Sequence, residues 1–257
     1  QIQDGDMLLF DMGAEYFCYG SDVTCSFPAS STHTFTSRQR AIYEGVLNAQ
    51  REVLGMVKPG VSWLDCHKAA EGAILKALIG LGIVVPGSKT VEELVEMRLG
   101  AVFMPHGLGH FIGIDTHDVG GYLPQNRSRI LQPGLKSLRT ARNLKENMTL
   151  TVEPGCYFIN HLINNVLKED SELKPFLNER ILNSYRGFGG VRLEDVFVVT
   201  KDGCENYTIC PRTIDEVEGV LSGKKWPPIK DDDPTLKRTR LTKTTSLIST
   251  TNHATPI

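Results

Sequence analysis

Apolar residues recur along this chain with two different periods. Ile42, Val46, Ala49, Val53 and Met56 follow one another at alternating steps of four and three, which places them on one face of a helix. Thr36 and Gln39 ahead of them form a capping-box pattern, and Pro59 with Gly60 marks the stop. A second helix is expected from near Ser62, with Asp65 three residues on, to about Leu81. A third, shorter one is expected from Thr90, with Glu93 completing its capping box.

The other period is two. The apolar run 7–10 and the aromatic-rich stretch 16–19, punctuated by Gly13 and Gly20, predict strands within residues 6–27, ended by Pro28. In 148–153, Met148, Leu150 and Val152 face one way and Thr149, Thr151 and Glu153 the other, until Pro154 stops the strand. A flexible turn at 187–190 leads into a strand over 191–200. Residues 101–122, dense in Gly and His, read as strands and turns. Strands alternating with amphipathic helices fit an α+β domain over residues 1–222. From about Gly223 the periodicity is lost, and 223–257, rich in Thr, Lys and Asp, is expected to be a disordered, solvated tail.

Composition narrows the function classes. The chain has 257 residues, 40% hydrophobic and 23% charged, ordinary values for a globular protein. A formal net charge of -2 gives no reason to expect nucleic acid or an anionic membrane as partner. No apolar run is long enough to span a bilayer, and no signal peptide is visible, so a cytoplasmic location is the expectation. The opening QIQDGDMLLFDMG reads as the middle of a folded region, from which an N-terminally truncated chain is expected. Cys18, Cys25, Cys66, Cys156, Cys204 and Cys210 contain no C-x-x-C pair, which argues against a zinc ribbon or a thioredoxin-type site. They are expected to be free, mostly buried thiols.

Five residues carry candidate metal chemistry: Asp11, Asp22, His110, Glu153 and Glu194. Four carboxylates and an imidazole suit a pair of hard divalent ions. Asp11 and Asp22 are separated by an odd number of positions, so one continuous strand would put them on opposite faces; the glycines at 13 and 20 allow a turn or bulge that reunites them. Either aspartate alone reads equally as a turn or cap residue. The segment holding His106, His110 and His117 has glycines between its histidines, where backbone must bend or come close to something. The spacing from His106 to His110 is that of H-E-x-x-H, but the Glu is missing and the glycines disfavour a helix. Glu153 and Glu194 project from otherwise apolar strands, which is costly unless the carboxylate is paired, metal-bound or turned to water.

FDMG and SDVTCSFP around the two aspartates, PHGLGHFIGIDTHDVGG, LTVEPGCYF and GFGGVRLED together resemble the metallopeptidases of the pita-bread fold. That group includes methionine aminopeptidases, aminopeptidase P, creatinase and prolidase. HGLGHFIGIDTHDVGGYLP and SLRTARNL are most similar to the prolidase branch, the Xaa-Pro dipeptidases. The resemblance covers about residues 4 to 218 and implies a curved antiparallel sheet flanked by helices around a dinuclear metal site. It implies that Asp11 chelates one ion, that Asp22 and Glu194 bridge two, and that His110 and Glu153 complete the coordination of the second ion. Manganese is the metal it implies, with cobalt or zinc also compatible with such donors. His106 and His117 would line the active site with Glu153 as proton relay, Arg139 would grip the carboxylate of an Xaa-Pro dipeptide, and Arg192 would lie beside the bridging glutamate and bind substrate. A homodimer is implied as well. Prolidases also carry an N-terminal creatinase-like domain and an active-site histidine upstream of the first metal aspartate; only ten residues precede Asp11, and none is His. Two alternatives follow, a truncated and inactive domain acting as a binding module, and an aminopeptidase P-like enzyme acting on longer peptides.

Overall fold

A computed structural model describes residues 1–228, 231 and 233–239. The chain opens with a long antiparallel hairpin, β1 (Asp6–Met12) against β4 (Val23–Ala29), whose tip is a smaller hairpin of β2 (Glu15–Tyr16) and β3 (Tyr19–Gly20). Helices α1 (Ser37–Met56), α2 (Trp63–Gly80), α3 (Val91–Glu96) and α4 (Gly100–Phe103) follow. After an irregular stretch come β5 (Thr149–Val152), β6 (Gly155–Tyr157), α5 (Asn160–Val166) and α6 (Glu179–Asn183). The series ends with β7 (Gly190–Arg192), β8 (Asp195–Val199), β9 (Cys204–Asn206) and α7 (Ile214–Leu221). The result is the expected α+β arrangement.

The helical expectations hold for physical reasons visible in the caps. Thr36 and Thr90 each accept from the backbone N–H three residues on, and Gln39 and Glu93 return the bond, so both capping boxes form. At the start of α2, Ser62 makes no side-chain cap bond; instead the Trp63 N–H donates to the Arg142 carbonyl and the Leu144 N–H to the Val61 carbonyl. A tertiary contact has replaced the local one. Along α1, Ile42, Val46, Ala49 and Val53 are buried as the period predicts, but Tyr43, Leu47, Gln50 and Leu54 are buried too, because the helix is covered both by α2 and by the strands. Residues 101–122 differ from the expectation: they begin in α4 and continue as irregular chain with one bridge, Phe111 to Leu150.

The strand expected over 191–200 is two strands with a break. β8 pairs with β5, ending at Val152 opposite Asp195, and β7 pairs with β6, ending at Gly155 opposite Arg192. Between these ladders Glu153 and Pro154 face Leu193 and Glu194. Pro154 has no N–H to give, so the ladder cannot run through. The freed Glu194 N–H donates to the Thr24 carbonyl, which bridges β4 to this strand. The interruption is where both glutamates sit.

Arg212 fastens the same junction from behind. It is fully buried and donates to the Asp195 carboxylate through Nε and Nη2, to the Thr24 carbonyl at 3.0 Å, and to the Glu194 carbonyl at 2.6 Å. Residues 233–239 also differ from the expected tail. Leu236 is buried, Asp233 pairs with Arg51 of α1, and Arg238 pairs with Glu216 and Asp231, so this stretch lies against the domain. The remainder of the tail expectation, at 229, 230, 232 and 240–257, falls outside the described residues. Among the described residues no helix is long and apolar enough to cross a membrane. The six cysteines are free; Cys66, Cys156 and Cys204 are buried, Cys25 and Cys210 half-buried and Cys18 exposed.

Replacing Arg212 with Ala leaves Asp195 buried without its counter-charge, so chemical denaturation is expected to show a loss of about 3–5 kcal/mol. Arg212→Lys is expected to recover less than half of that, because one ammonium cannot reach acceptors on three residues at once.

Candidate metal centre

The carboxylates arrive from separate parts of the fold. Asp22 sits immediately before β4, and Asp11 pairs with Thr24 on β1 across the hairpin, so the two aspartates belong to facing strands rather than to one strand. The turn anticipated at Gly13 and Gly20 is the β2–β3 hairpin that intervenes. Gly13 is required there, since a Cβ would lie 2.0 Å from the Ser21 carbonyl oxygen. Glu153 and Glu194 come from the interruption described above.

His110 is brought in by the irregular segment that follows α4. Its neighbours bond to β5 like a short strand: the Thr151 N–H donates to the His110 carbonyl and the Glu153 N–H to the Leu108 carbonyl. Gly109 allows this approach, because a Cβ on it would stand 2.1 Å from the Thr151 carbonyl oxygen. The Gly109 carbonyl in turn accepts from the indole of Trp63 at 3.3 Å.

The His110 Nε2 atom lies 3.4 Å from Asp22 Oδ2, 3.4 Å from Glu153 Oε1 and 3.9 Å from Glu194 Oε1. Ligand atoms of Asp22, His110 and Glu194 lie within 4.8 Å of one another, and all three residues are buried. His110 Nδ1 is 2.9 Å from the Phe111 carbonyl, an acceptor, so Nδ1 carries the proton and the lone pair of a neutral ring points into the cluster. Acceptors then face acceptors, and only a cation, proton or metal, reconciles them. The acidities say the same. Burial, with the nearby charges of Glu153 and Asp22 adding to it, pushes Glu194 up to about 9. Burial pushes Glu153 up to about 7 against the opposing charges of His110 and Arg192. Burial also works against ionisation of Asp22, but hydrogen bonds with His110, Asp11 and Glu194 and the His110 charge outweigh it and hold Asp22 below the ordinary range. For His110, burial disfavours the charged ring, while Asp22, the Phe111 carbonyl and Glu153 favour it more and raise it. A cluster of hard oxygen donors and one imidazole, short of positive charge, fits divalent ions.

The surrounding side chains hold this set in place. Thr24 donates to Glu194 Oε2 at 2.7 Å, and Thr151 donates to Glu153 Oε1 at 3.2 Å. Neither threonine was singled out from sequence, yet each lies two residues from a candidate ligand (Thr24 from Asp22, Thr151 from Glu153), the same-face spacing of a strand. Asp11 is at the rim, exposed, in an ion pair with Arg192. Arg192 has its donors on Asp11, Thr24 and the Tyr157 hydroxyl. It acts from this position on Asp11.

His106 and His117 lie in different surroundings. The His117 ring packs edge-on to His110 at 4.4 Å and is exposed. His106 packs edge-on to Tyr157 at 5.3 Å, and its Nδ1 donates to the Gly107 carbonyl, leaving Nε2 buried without a partner. Burial pushes His106 down to about 4, so it is a neutral acceptor at physiological pH. Arg139 is exposed, and its charge reaches His117, for which burial and the His110 and Arg139 charges lower the pKa. A cleft of about 460 Å³ is lined by Asp11, Gly20, Asp22, Ile114, Thr116 and His117.

A family model for "Metallopeptidase family M24" matches residues 1–201. The chain is 54% identical over 222 residues to the Xaa-Pro dipeptidase of Homo sapiens, an alignment covering 86% of this chain and 44% of that protein. Among solved structures, the Pseudomonas aeruginosa aminopeptidase PepP matches with a TM-score of 0.65 and 33% identity, covering 86% of this chain and 42% of that one. A zinc-substituted Escherichia coli aminopeptidase P in complex with product matches with a TM-score of 0.65 and 30% identity, covering 88% and 43%. The chain thus has the pita-bread fold and spans less than half the length of these relatives.

The acidities set a sign for stability. Between the ordinary glutamate value of 4.5 and the raised values about 7 and about 9, the folded carboxyls keep protons that the unfolded ones have lost. The folded state binds more protons there, so stability falls as pH rises. Raised His110 contributes with the same sign. The melting temperature of chelator-treated protein is therefore expected to fall steadily from about pH 5 to about pH 9, and a saturating divalent metal to flatten or reverse that slope.

Proposed function

The chain belongs to metallopeptidase family M24, and on that premise we propose that residues 1–222 encode metal-dependent hydrolysis of Xaa-Pro dipeptides. Asp11, Asp22, His110, Glu153 and Glu194 would hold two divalent ions, manganese first among manganese, cobalt and zinc. The observation that carries this reading is the convergence of the His110 Nε2 lone pair on the carboxylates of Asp22, Glu153 and Glu194. Such a pair of ions, when bound, lowers the pKa of a shared water toward neutrality and polarises the scissile carbonyl.

The protein groups do the rest. Asp22 and Glu194 are buried carboxylates whose ligand atoms lie within 4.8 Å of one another, which would suit them to be shared between two ions. Glu153, raised to about 7 by burial and oriented by Thr151, is poised to take a proton near neutral pH and return it to the expelled nitrogen. His106 offers a neutral acceptor nitrogen to a substrate donor. His117 lines the open side, and Arg139, whose charge reaches His117, would present its guanidinium fork to a substrate carboxylate. Arg192 positions Asp11. A scissile bond before proline has no N–H, so recognition must rest on the compact ring and a nearby terminal carboxylate rather than on a backbone hydrogen bond. A charge at Arg139 would stand where a longer peptide has to continue, which favours dipeptides over the aminopeptidase-like alternative.

The test is hydrolysis of glycyl-proline with added manganese, beside an Xaa-Pro peptide of four or more residues. Faster cleavage of the dipeptide is expected, and preference for the longer peptide would overturn the substrate assignment. Metal analysis of the reconstituted chain is expected to find about two ions per chain, and Asp22→Asn to lose one of them together with activity. A folded chain that binds no divalent metal would leave the binding-module alternative.

A further inference from the structure

Cys25 and Cys210 meet on the side of β4 that faces away from the metal cluster. Cys25 lies between Thr24, which points to Glu194, and Ser26, which bonds to the Arg192 backbone, so its own side chain takes the opposite face. There it faces the segment that joins β9 to α7: Pro211, next to Cys210, lines the same cavity as Cys25, and the two thiols interact closely enough to shift each other's acidity. Arg212, two residues beyond Cys210, donates from Nη1 to Cys25 Sγ at 3.4 Å. That guanidinium cannot swing away, because Asp195 and the Thr24 and Glu194 carbonyls hold it. Cys25 also lines a small apolar cavity of about 220 Å³ with Phe27, Pro211, Val217, Val220 and Leu221.

We propose that Cys25 and Cys210 form a redox-active dithiol that hydrogen peroxide converts to an intrachain disulfide, with Cys25 as the sulfur attacked by the oxidant and Cys210 as the resolving thiol. The two thiols lie on the same side of β4, one is paired with a fixed cation, and the cavity gives a small neutral oxidant access to it. The Cys25 thiolate attacks peroxide: an S–O bond forms, the O–O bond breaks, and hydroxide leaves, giving a sulfenic acid. Cys210 sulfur then attacks the sulfenic sulfur: the S–S bond forms, the S–O bond breaks, and the departing hydroxide takes the Cys210 proton as water. The two thiols supply two electrons and peroxide accepts both, so two waters are released.

The division of roles follows the surroundings. The hydrogen bond from Cys210 pulls the Cys25 thiol down to about 6, against burial and with help from the Arg212 charge. The same hydrogen bond, together with burial, pushes Cys210 up and keeps its proton on it. No such environment exists at the other described cysteines: burial pushes Cys66 and Cys156 up to about 12 and raises Cys204. Cys18 is exposed at the hairpin tip. A thiolate beside a cation and next to a second thiol is the arrangement that makes a cysteine selective for oxidation.

The test is treatment of the folded chain with stoichiometric hydrogen peroxide, alkylation of remaining thiols and tryptic mass spectrometry. Tryptic peptides 1–38 and 202–212 are expected to appear linked, lighter by two hydrogens than their sum, with fragmentation placing the link on Cys25 and Cys210 rather than on Cys18 or Cys204 of the same peptides. Cys25 is expected to react about tenfold faster than Cys18. Cys210→Ser is expected to stop at a dimedone-reactive sulfenic acid on Cys25, and Cys25→Ser to leave Cys210 a thiol. Absence of the linked pair in the unsubstituted chain, a link through Cys18 or Cys204, or equal rates at Cys18 and Cys25 would overturn the assignment. The unsubstituted chain suffices to decide it even if a serine variant misfolds.

Discussion

The buried guanidinium of Arg212 donates to the Asp195 carboxylate and to the carbonyls of Thr24 and Glu194 at once. Two strands that each deliver a carboxylate are thereby held at one separation, β4 behind Asp22 and the β7–β8 junction at Glu194. Without that clamp the junction would have weak reasons to stay closed, because the carboxylates on its other side repel each other. The clamp works because these three partners are backbone or fully buried side chain, so water does not compete for the bonds that hold the guanidinium. Everything nearer the cluster inherits its position: Thr24 from β4, Glu194 from the bridge to Thr24, and Arg192 from its bond to the Thr24 hydroxyl.

On the front of the same strands the chain concentrates negative charge that it does not itself neutralise. Glu194 and Glu153 are raised chiefly by burial, and His110 turns a single ring nitrogen, Nε2, toward them. The hydroxyls of Thr24 and Thr151 orient these carboxylates but bring no charge. Arg192 brings one, yet it is spent at the rim on Asp11. The fold therefore holds carboxylates together through backbone geometry, at Pro154 and Gly109 above all, and leaves the remaining charge for cations to balance. This is how a site can be ordered before its ions arrive.

Much of this was readable from the chain, unevenly. The capping boxes at Thr36 and Thr90 were legible because each is complete within four residues. The candidate ligands were legible as residue types out of place, such as Glu153 in an apolar strand. The break at Leu193 and Glu194 was not, because its cause is Pro154 on a strand remote in sequence. The start of α2 near Ser62 was legible too, but not how it is capped, since the Trp63 N–H is satisfied by the remote Arg142 carbonyl. Residues 233–239 looked like solvated tail by composition, and only the acidic partners of Arg238 and the pocket for Leu236 give them a place. Arg212 gave no signal, since an arginine beside a proline is ordinary until its three acceptors are known.

The sequence by itself determined the family, the α+β class and the candidate donors, because residue type, period and motif spacing are properties of neighbours along the chain. It also determined where the chain must turn, through Gly13, Gly109 and Pro154. Only the tertiary structure decided which donors converge, that Arg192 serves Asp11, and that Cys25 faces Cys210 beside Arg212. Those outcomes depend on strand register and on burial, and both arise from contacts between segments that no local pattern encodes.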